Sequence, residues 1–358
     1  MARILPPAVL ALLFSLDALV FRTGFYPRLL EPISSSGLMM NSIWNEQGGS
    51  SSGAHRVLAV GDSSMRLEPA IATSLGTGYE FRSIAVPATT PRCWYYMLRE
   101  VDPGANRYDA VILPVDGYDD EDWEEHSRRL SDIQFTAPLL RLGDAVEFSL
   151  SYPHWPERWQ ALEATLLKGV AYRRDFQDLL AHSQLRLKHT RESRATAARQ
   201  LYDAPWKRQN LVGLEVDWKA WRITYPSGST IEQQRSLKDG LMHGAAPQIG
   251  YLAAYRRAWF GKVLDHYRGS NTRLIFIRLP RGPAVRPANL AAAKSSSIRE
   301  FGSRPGVLLA DEHAFDVLER PHWFGDAIHL NDPGAERFSA MVALETARLL
   351  AAGKTRAR

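Results

Sequence analysis

The sequence predicts an α/β fold: a parallel sheet with helices on both faces, a mostly helical insertion, and an apolar helix ahead of the folded part. Three observations lead there. Five short apolar runs alternate with helical stretches, the pattern of a parallel sheet covered on both sides. The alternation stops between residues 121 and 245, where helical periods dominate. The first two dozen residues are almost wholly apolar. With 358 residues, 45% hydrophobic and 23% charged, the composition is ordinary globular usage, which excludes a disordered, collagen-like or polytopic membrane chain.

Residues 4–21 are apolar except for Ser15 and Asp17, and Arg3 precedes them. As a helix they would extend roughly 27 Å, close to the thickness of a bilayer's hydrocarbon core. No small-x-small cleavage site follows, and Phe21, Phe25 and Tyr26 suit an interfacial belt. Residues 1–24 therefore read as a signal anchor: a single-pass membrane helix with the remainder outside the cytoplasm. Asp17 is costly in lipid and is expected near the interface or against a partner helix. Residues 25–55 read as stalk and linker, since 45–55 have tether composition.

The expected strands are Val57–Val60, Phe81–Val86, Asp109–Val115, Thr272–Leu279 and Val307–Ala310. Helices are expected over 250–268 and 333–352, the second opened by Asp332 as N-cap and Pro333 at the first helical position. The core thus divides into 56–120 and 246–358 around an insertion or cap at 121–245.

The net charge of +5 is unevenly spread. Residues 61–135 carry seven basic and fourteen acidic side chains, with seven acids crowded into 116–125, and the rest of the chain is basic. Two solvated faces account for this, and no zinc finger, RNA-binding signature or Arg-rich helix with interleaved aromatics accompanies it. Nucleic acid is not an expected partner. The lone Cys93 excludes an internal disulfide framework and any multi-cysteine metal site, and reads as a packed core thiol. His182 and His189 lie seven apart without carboxylates at ligand spacing, so no metal site is expected.

Two segments carry chemistry. In Val57-Leu-Ala-Val-Gly-Asp-Ser-Ser-Met65 a strand breaks at Gly61 and runs toward a helix, which puts Ser63 in the crevice where open α/β sheets bind ligands. Backbone N–H groups at that helix start are placed to stabilise an oxyanion. In Phe324-Gly-Asp-Ala-Ile-His-Leu-Asn-Asp-Pro-Gly334, Asp326 precedes His329 by three residues and can hold its imidazole tautomer, leaving the other ring nitrogen as base.

Together these segments resemble the SGNH (GDSL-type) hydrolase superfamily. Gly61-Asp62-Ser63 matches its nucleophile block, and Asp326-x-x-His329 with Leu330-Asn331 and Gly334 matches its closing block. The resemblance covers roughly 56–120 and 250–350. It implies a flavodoxin-like three-layer sandwich, with Ser63 as nucleophile, His329 as base, Asp326 as orienting carboxylate and no cofactor. Ser63 and Ala88 fall at the family's oxyanion-donor positions. A third donor, usually asparagine, is absent from Val115-Asp-Gly-Tyr-Asp-Asp120, where Asp116 would repel an oxyanion and Tyr118 is the only substitute. Asp62, Asp116, Arg278, Arg281, His322 and Trp323 are candidate substrate contacts.

An anchor followed by such a domain resembles the envelope O-acylation branch, namely the lipoteichoic-acid D-alanylation and alginate-acetylation SGNH proteins. That likeness implies an O-acyltransferase or esterase acting on envelope glycan or another acylated polymer, beside a polytopic membrane-bound O-acyltransferase. A noncatalytic scaffold or glycan-binding protein on the same fold is the alternative, favoured by the missing asparagine.

Overall fold

The computed structural model describes residues 7–49, 55–120, 126–193, 204–242, 249–286 and 295–356. The chain forms two compact units, one from residues 1–48 with 127–202, the other from 49–126 with 203–358.

The second unit is α/β. Its sheet has strands β1 (His55–Gly61), β2 (Tyr79–Ala85), β3 (Ala110–Val115), β6 (Arg273–Arg278) and β7 (Val307–Leu309), all parallel, in the order β2-β1-β3-β6-β7. A short antiparallel hairpin, β4 (Glu215–Asp217) and β5 (Arg222–Thr224), stands apart. All five expected strands are present. Alternate residues along β1 and β6 serve the two faces, as a pleated strand requires. Val57, Ala59, Ile275 and Ile277 pack with Ala335, Phe338 and Val342 of the last helix (Asp332–Arg356). On the opposite face Phe276 meets Phe260 edge-on at 5.0 Å and stacks on Phe301 at 6.2 Å. Both faces are thus dry, which is why the strands read as continuous apolar runs rather than alternating ones.

Winding reverses between β1 and β3, because β2 lies on one side of β1 and β3 on the other. The crevice at the carboxyl ends of these two strands is where a doubly wound sheet leaves room for a ligand. Gly61 ends β1 there. A Cβ at this position would lie 2.5 Å from the Met65 Cβ and 3.0 Å from the Pro114 side chain, so glycine is a steric requirement.

The other unit is helical. Its first helix, Pro7–Phe21, has 15 described residues, about 22 Å of rise, and no helix among the described residues is long and apolar enough to cross a membrane. Residues 7–16 are exposed all round, whereas Asp17, Ala18 and Phe21 are seated in protein. There Asp17 accepts hydrogen bonds from the N–H groups of Lys168 (3.0 Å) and Gly169 (2.7 Å), capping the helix that begins at Lys168. Phe21 packs among Tyr26, Tyr172 and Phe176. Asp17 is thereby satisfied by capping a helix.

Two expectations shift. The stalk does not extend over 25–55, because Ser35–Gly48 is a helix with Leu38, Met39 and Ile43 buried. The insertion is not one body either. Its helical part, 127–193, joins the N-terminal residues, whereas residues 204–242 pack on the α/β unit through Leu211, Leu214 and Leu237.

Candidate active site

Ser63 lies in a turn directly after β1. The Asp62 carboxylate accepts the Ser64 N–H at 2.9 Å, and the Met65 N–H reaches the Asp62 carbonyl at 3.2 Å, closing the turn locally. The helix expected to follow at once begins only at Pro69, since residues 65–68 run as an irregular segment. The backbone donors that this segment offers therefore lie in the turn itself, not at a helix start. The Ser63 N–H makes no hydrogen bond among the described residues, so it remains open to a ligand.

The two sequence blocks meet. His329 Nε2 is 2.8 Å from Ser63 Oγ, and His329 Nδ1 is 2.8 Å from Asp326 Oδ2. Asp326 also accepts the N–H groups of Ile328 (2.9 Å) and His329 (2.7 Å) on Oδ1, which locks the three-residue loop. Burial opposes ionisation of Asp326, but the hydrogen bond and charge of His329 and the two backbone donors outweigh it and hold the carboxyl below its ordinary value. An ionised carboxylate only accepts. Nδ1 therefore carries the imidazole proton, and Nε2 faces the Ser63 hydroxyl as acceptor.

Ala88 adopts the left-handed conformation with φ +60°, the geometry that glycine usually supplies. Its loop is fastened beside the Ser63 turn: the Val86 N–H donates to the Gly61 carbonyl at 3.0 Å, and the Thr89 hydroxyl lies 2.7 Å from the Val86 carbonyl and 3.3 Å from that of Gly61. The Ala88 N–H, like that of Ser63, is unengaged among the described residues. Two backbone donors are thus available on adjoining loops.

The remaining candidates separate. Asp62 and Asp116 line one small cleft, about 30 Å³, with Thr89, Trp94, His126 and Tyr255. Tyr118 is not in it. Its buried hydroxyl donates to the carbonyls of Ala310 (2.8 Å) and Phe276 (3.1 Å), and burial together with nearby Glu312 pushes the phenol above its ordinary value. Its hydroxyl is committed to those carbonyls and is not offered to the cleft. Arg278 is buried and bound to Glu319, Asp316 and the Glu312 carbonyl, and Arg281 grips the same Glu319 carboxylate at 2.7 and 2.9 Å. Arg278 serves the fold, because it is buried on its own domain's acids, whereas Arg281 is exposed and shares Glu319 with it. His322 is exposed, whereas the Trp323 ring is half-buried, with the Arg337 guanidinium 5.4 Å from its centroid. Cys93 is buried, as expected. His182 pairs with Asp178 and His189 with Glu31, and no group of metal-ligating side chains occurs among the described residues.

Trp206 is the functional neighbour that sequence reasoning missed. Its indole stacks on the His329 imidazole, with centroids 4.5 Å apart and planes at 16°. The Arg66 guanidinium lies 5.1 Å from the same indole. Arg66 in turn donates to the Leu330 carbonyl at 2.5 Å and to Asp332 at 3.0 Å, tying the nucleophile block to the closing block. No motif marks Trp206; the only signal is a tryptophan directly before the polar run Lys207-Arg-Gln-Asn210. Asn331 completes the arrangement by donating to the carbonyls of Gln209 and His322, both at 2.9 Å.

No protein-family model matches the chain, and no curated protein matches it.

Proposed function

We propose that this chain is an SGNH-type serine O-acyltransferase or esterase working through an acyl-Ser63 intermediate, on a flavodoxin-like three-layer sandwich. The observation that carries the reading is the hydrogen-bonded series from Ser63 Oγ through His329 to Asp326, with 2.8 Å at both contacts. In the first step Ser63 Oγ attacks the acyl carbon as its proton passes to His329 Nε2. The oxyanion is met by the Ser63 and Ala88 N–H groups, Asp326 balances the imidazolium, and the departing oxygen takes the proton back from Nε2. In the second step His329 Nε2 takes the proton of a sugar hydroxyl, or water, as that oxygen attacks the acyl carbon; the acyl–Oγ bond breaks and Ser63 Oγ takes the proton back from Nε2.

The substrate of this reading is a cell-envelope polysaccharide or related acylated polymer, and its partner is a polytopic membrane-bound O-acyltransferase. Both come from the likeness of an apolar first helix followed by such a domain to the envelope O-acylation proteins. The first helix holds the domain to the membrane on its outer side, and its all-round apolar exposure over residues 7–16 supports that role.

A serine-directed fluorophosphonate tests the reading. The native chain is expected to label at Ser63 and Ser63→Ala not at all. Asp326→Asn is expected to slow labelling by about 10³–10⁴-fold, because the wrong imidazole tautomer then faces the serine. Equal labelling of native chain and Ser63→Ala rejects the catalytic assignment. The second reading, a noncatalytic glycan-binding scaffold, is favoured by Asp116 at the third-donor position. It predicts polymer binding with no labelling of the native chain.

A further inference from the structure

We infer that Trp206 is a positioning residue for His329, and that residues 204–211 form a strap holding the imidazole in line with Ser63. The catalytic consequence rests on the serine-acyl reading above; the positioning itself does not. Two hydrogen bonds, to Asp326 and Ser63, hold the imidazole at its two nitrogens. They leave the ring free to roll about the line joining the two partners and to shift perpendicular to its plane. A flat group on the ring face opposes both motions, and the indole is that group.

The strap is fastened at several places, so the indole is not a free flap. A Cβ on Gly325 would lie 1.8 Å from the Trp206 carbonyl oxygen, so the strap backbone rests directly on the glycine that opens the Asp326–His329 loop. Asn331 holds Gln209 at 2.9 Å, and the Leu211 N–H donates to the Pro321 carbonyl at 3.1 Å. Arg66 holds the indole from the nucleophile block. The closing-block residues Gly325 and Asn331 therefore position the base through a segment more than a hundred residues upstream in sequence.

The test uses the full chain with two independent measurements. One is the low-field proton resonance of the His329 Nδ1–H, assigned by its loss in His329→Gln. The other is the rate of Ser63 labelling by a fluorophosphonate. Trp206→Ala and Trp206→Leu, the second filling the space without a flat π face, are expected to broaden or lose the resonance and to slow labelling about 10- to 100-fold, as misplacement of a catalytic group does. Trp206→Phe is expected to restore the resonance and most of the rate. A sharp, unshifted resonance and labelling within twofold of native in the Leu variant overturn the inference. If the native chain does not label while the resonance still depends on Trp206, the serine-acyl reading falls and the positioning role stands.

Discussion

Ser63 owes its placement to the glycine two residues before it. The chain must turn out of β1 within the space left by Met65 and Pro114, and no side chain fits at Gly61. Gly61→Ala is expected to destabilise the α/β unit by about 1–3 kcal/mol, the usual cost of overpacking, read as a lowered midpoint in urea unfolding with an unchanged slope. Ala88 shows the converse. It holds a left-handed backbone at a cost of about 1–2 kcal/mol relative to a relaxed residue. Ala88→Gly is expected to keep Ser63 labelling at or above the native rate, whereas Ala88→Val, β-branched at φ +60°, is expected to lose labelling and stability together. Of the residues around the proposed reaction, Ser63, Asp326 and His329 were legible because each lies in a short local pattern. Trp206 was not, since nothing in a sequence of this kind says which ring will lie over which.

Helix and strand ends explain the misplaced roles. The last helix was expected to be capped by Asp332. Instead the Asn331 side chain accepts the Gly334 N–H at 3.0 Å, and Asp332 is drawn to Arg66. Both types are good N-caps, so propensity alone cannot choose between neighbours; the ion pair with Arg66 decides. Arg278, the last residue of β6, and Arg281 just beyond it were expected to contact substrate, because strand ends in this fold face the crevice. Glu319 reverses that reading. Burial opposes its charge, but hydrogen bonds from Arg281 and Arg278 outweigh burial and hold it below its ordinary value. Glu319→Gln is expected to cost about 3 kcal/mol near neutral pH, because it leaves the buried Arg278 short of a partner. Since the folded-state value is depressed, this stabilisation is complete above the unfolded value, about 4.5, and is lost as pH falls through the folded one. The melting-temperature gap between native and variant chains should therefore narrow as the pH drops below that value, and a constant gap would show that charge is not its source.

Across the chain, exposed apolar surface is concentrated on the first helix. Val9, Leu10, Leu12, Leu13, Phe14, Leu16, Leu19 and Val20 are all exposed large hydrophobics, more than a water-facing helix of 15 residues tolerates without an apolar neighbour. Under the anchor proposal, the double substitution Leu12→Ser, Leu13→Ser is expected to move the chain from the membrane fraction to the soluble one. Leu13 lies one turn before Asp17, but both leucine side chains are exposed and neither is among the partners of the Asp17 carboxylate, so the cap on Lys168 and Gly169 is expected to survive the change. Unaltered membrane retention would reject this helix as the anchor. The sequence by itself determined the α/β class, all five sheet strands, the apolar start of the chain and the three residues of the Ser–His–Asp series. Strand periodicity, apolar runs and motif spacing are all local properties. The tertiary structure decided that residues 127–193 join the N-terminal helices, that Tyr118, Arg278 and Arg281 are committed elsewhere, and that Trp206 lies on His329. Each of those is a pairing between segments far apart along the chain, chosen by which buried donors, charges and ring faces find partners, and a single sequence carries no local mark of that choice.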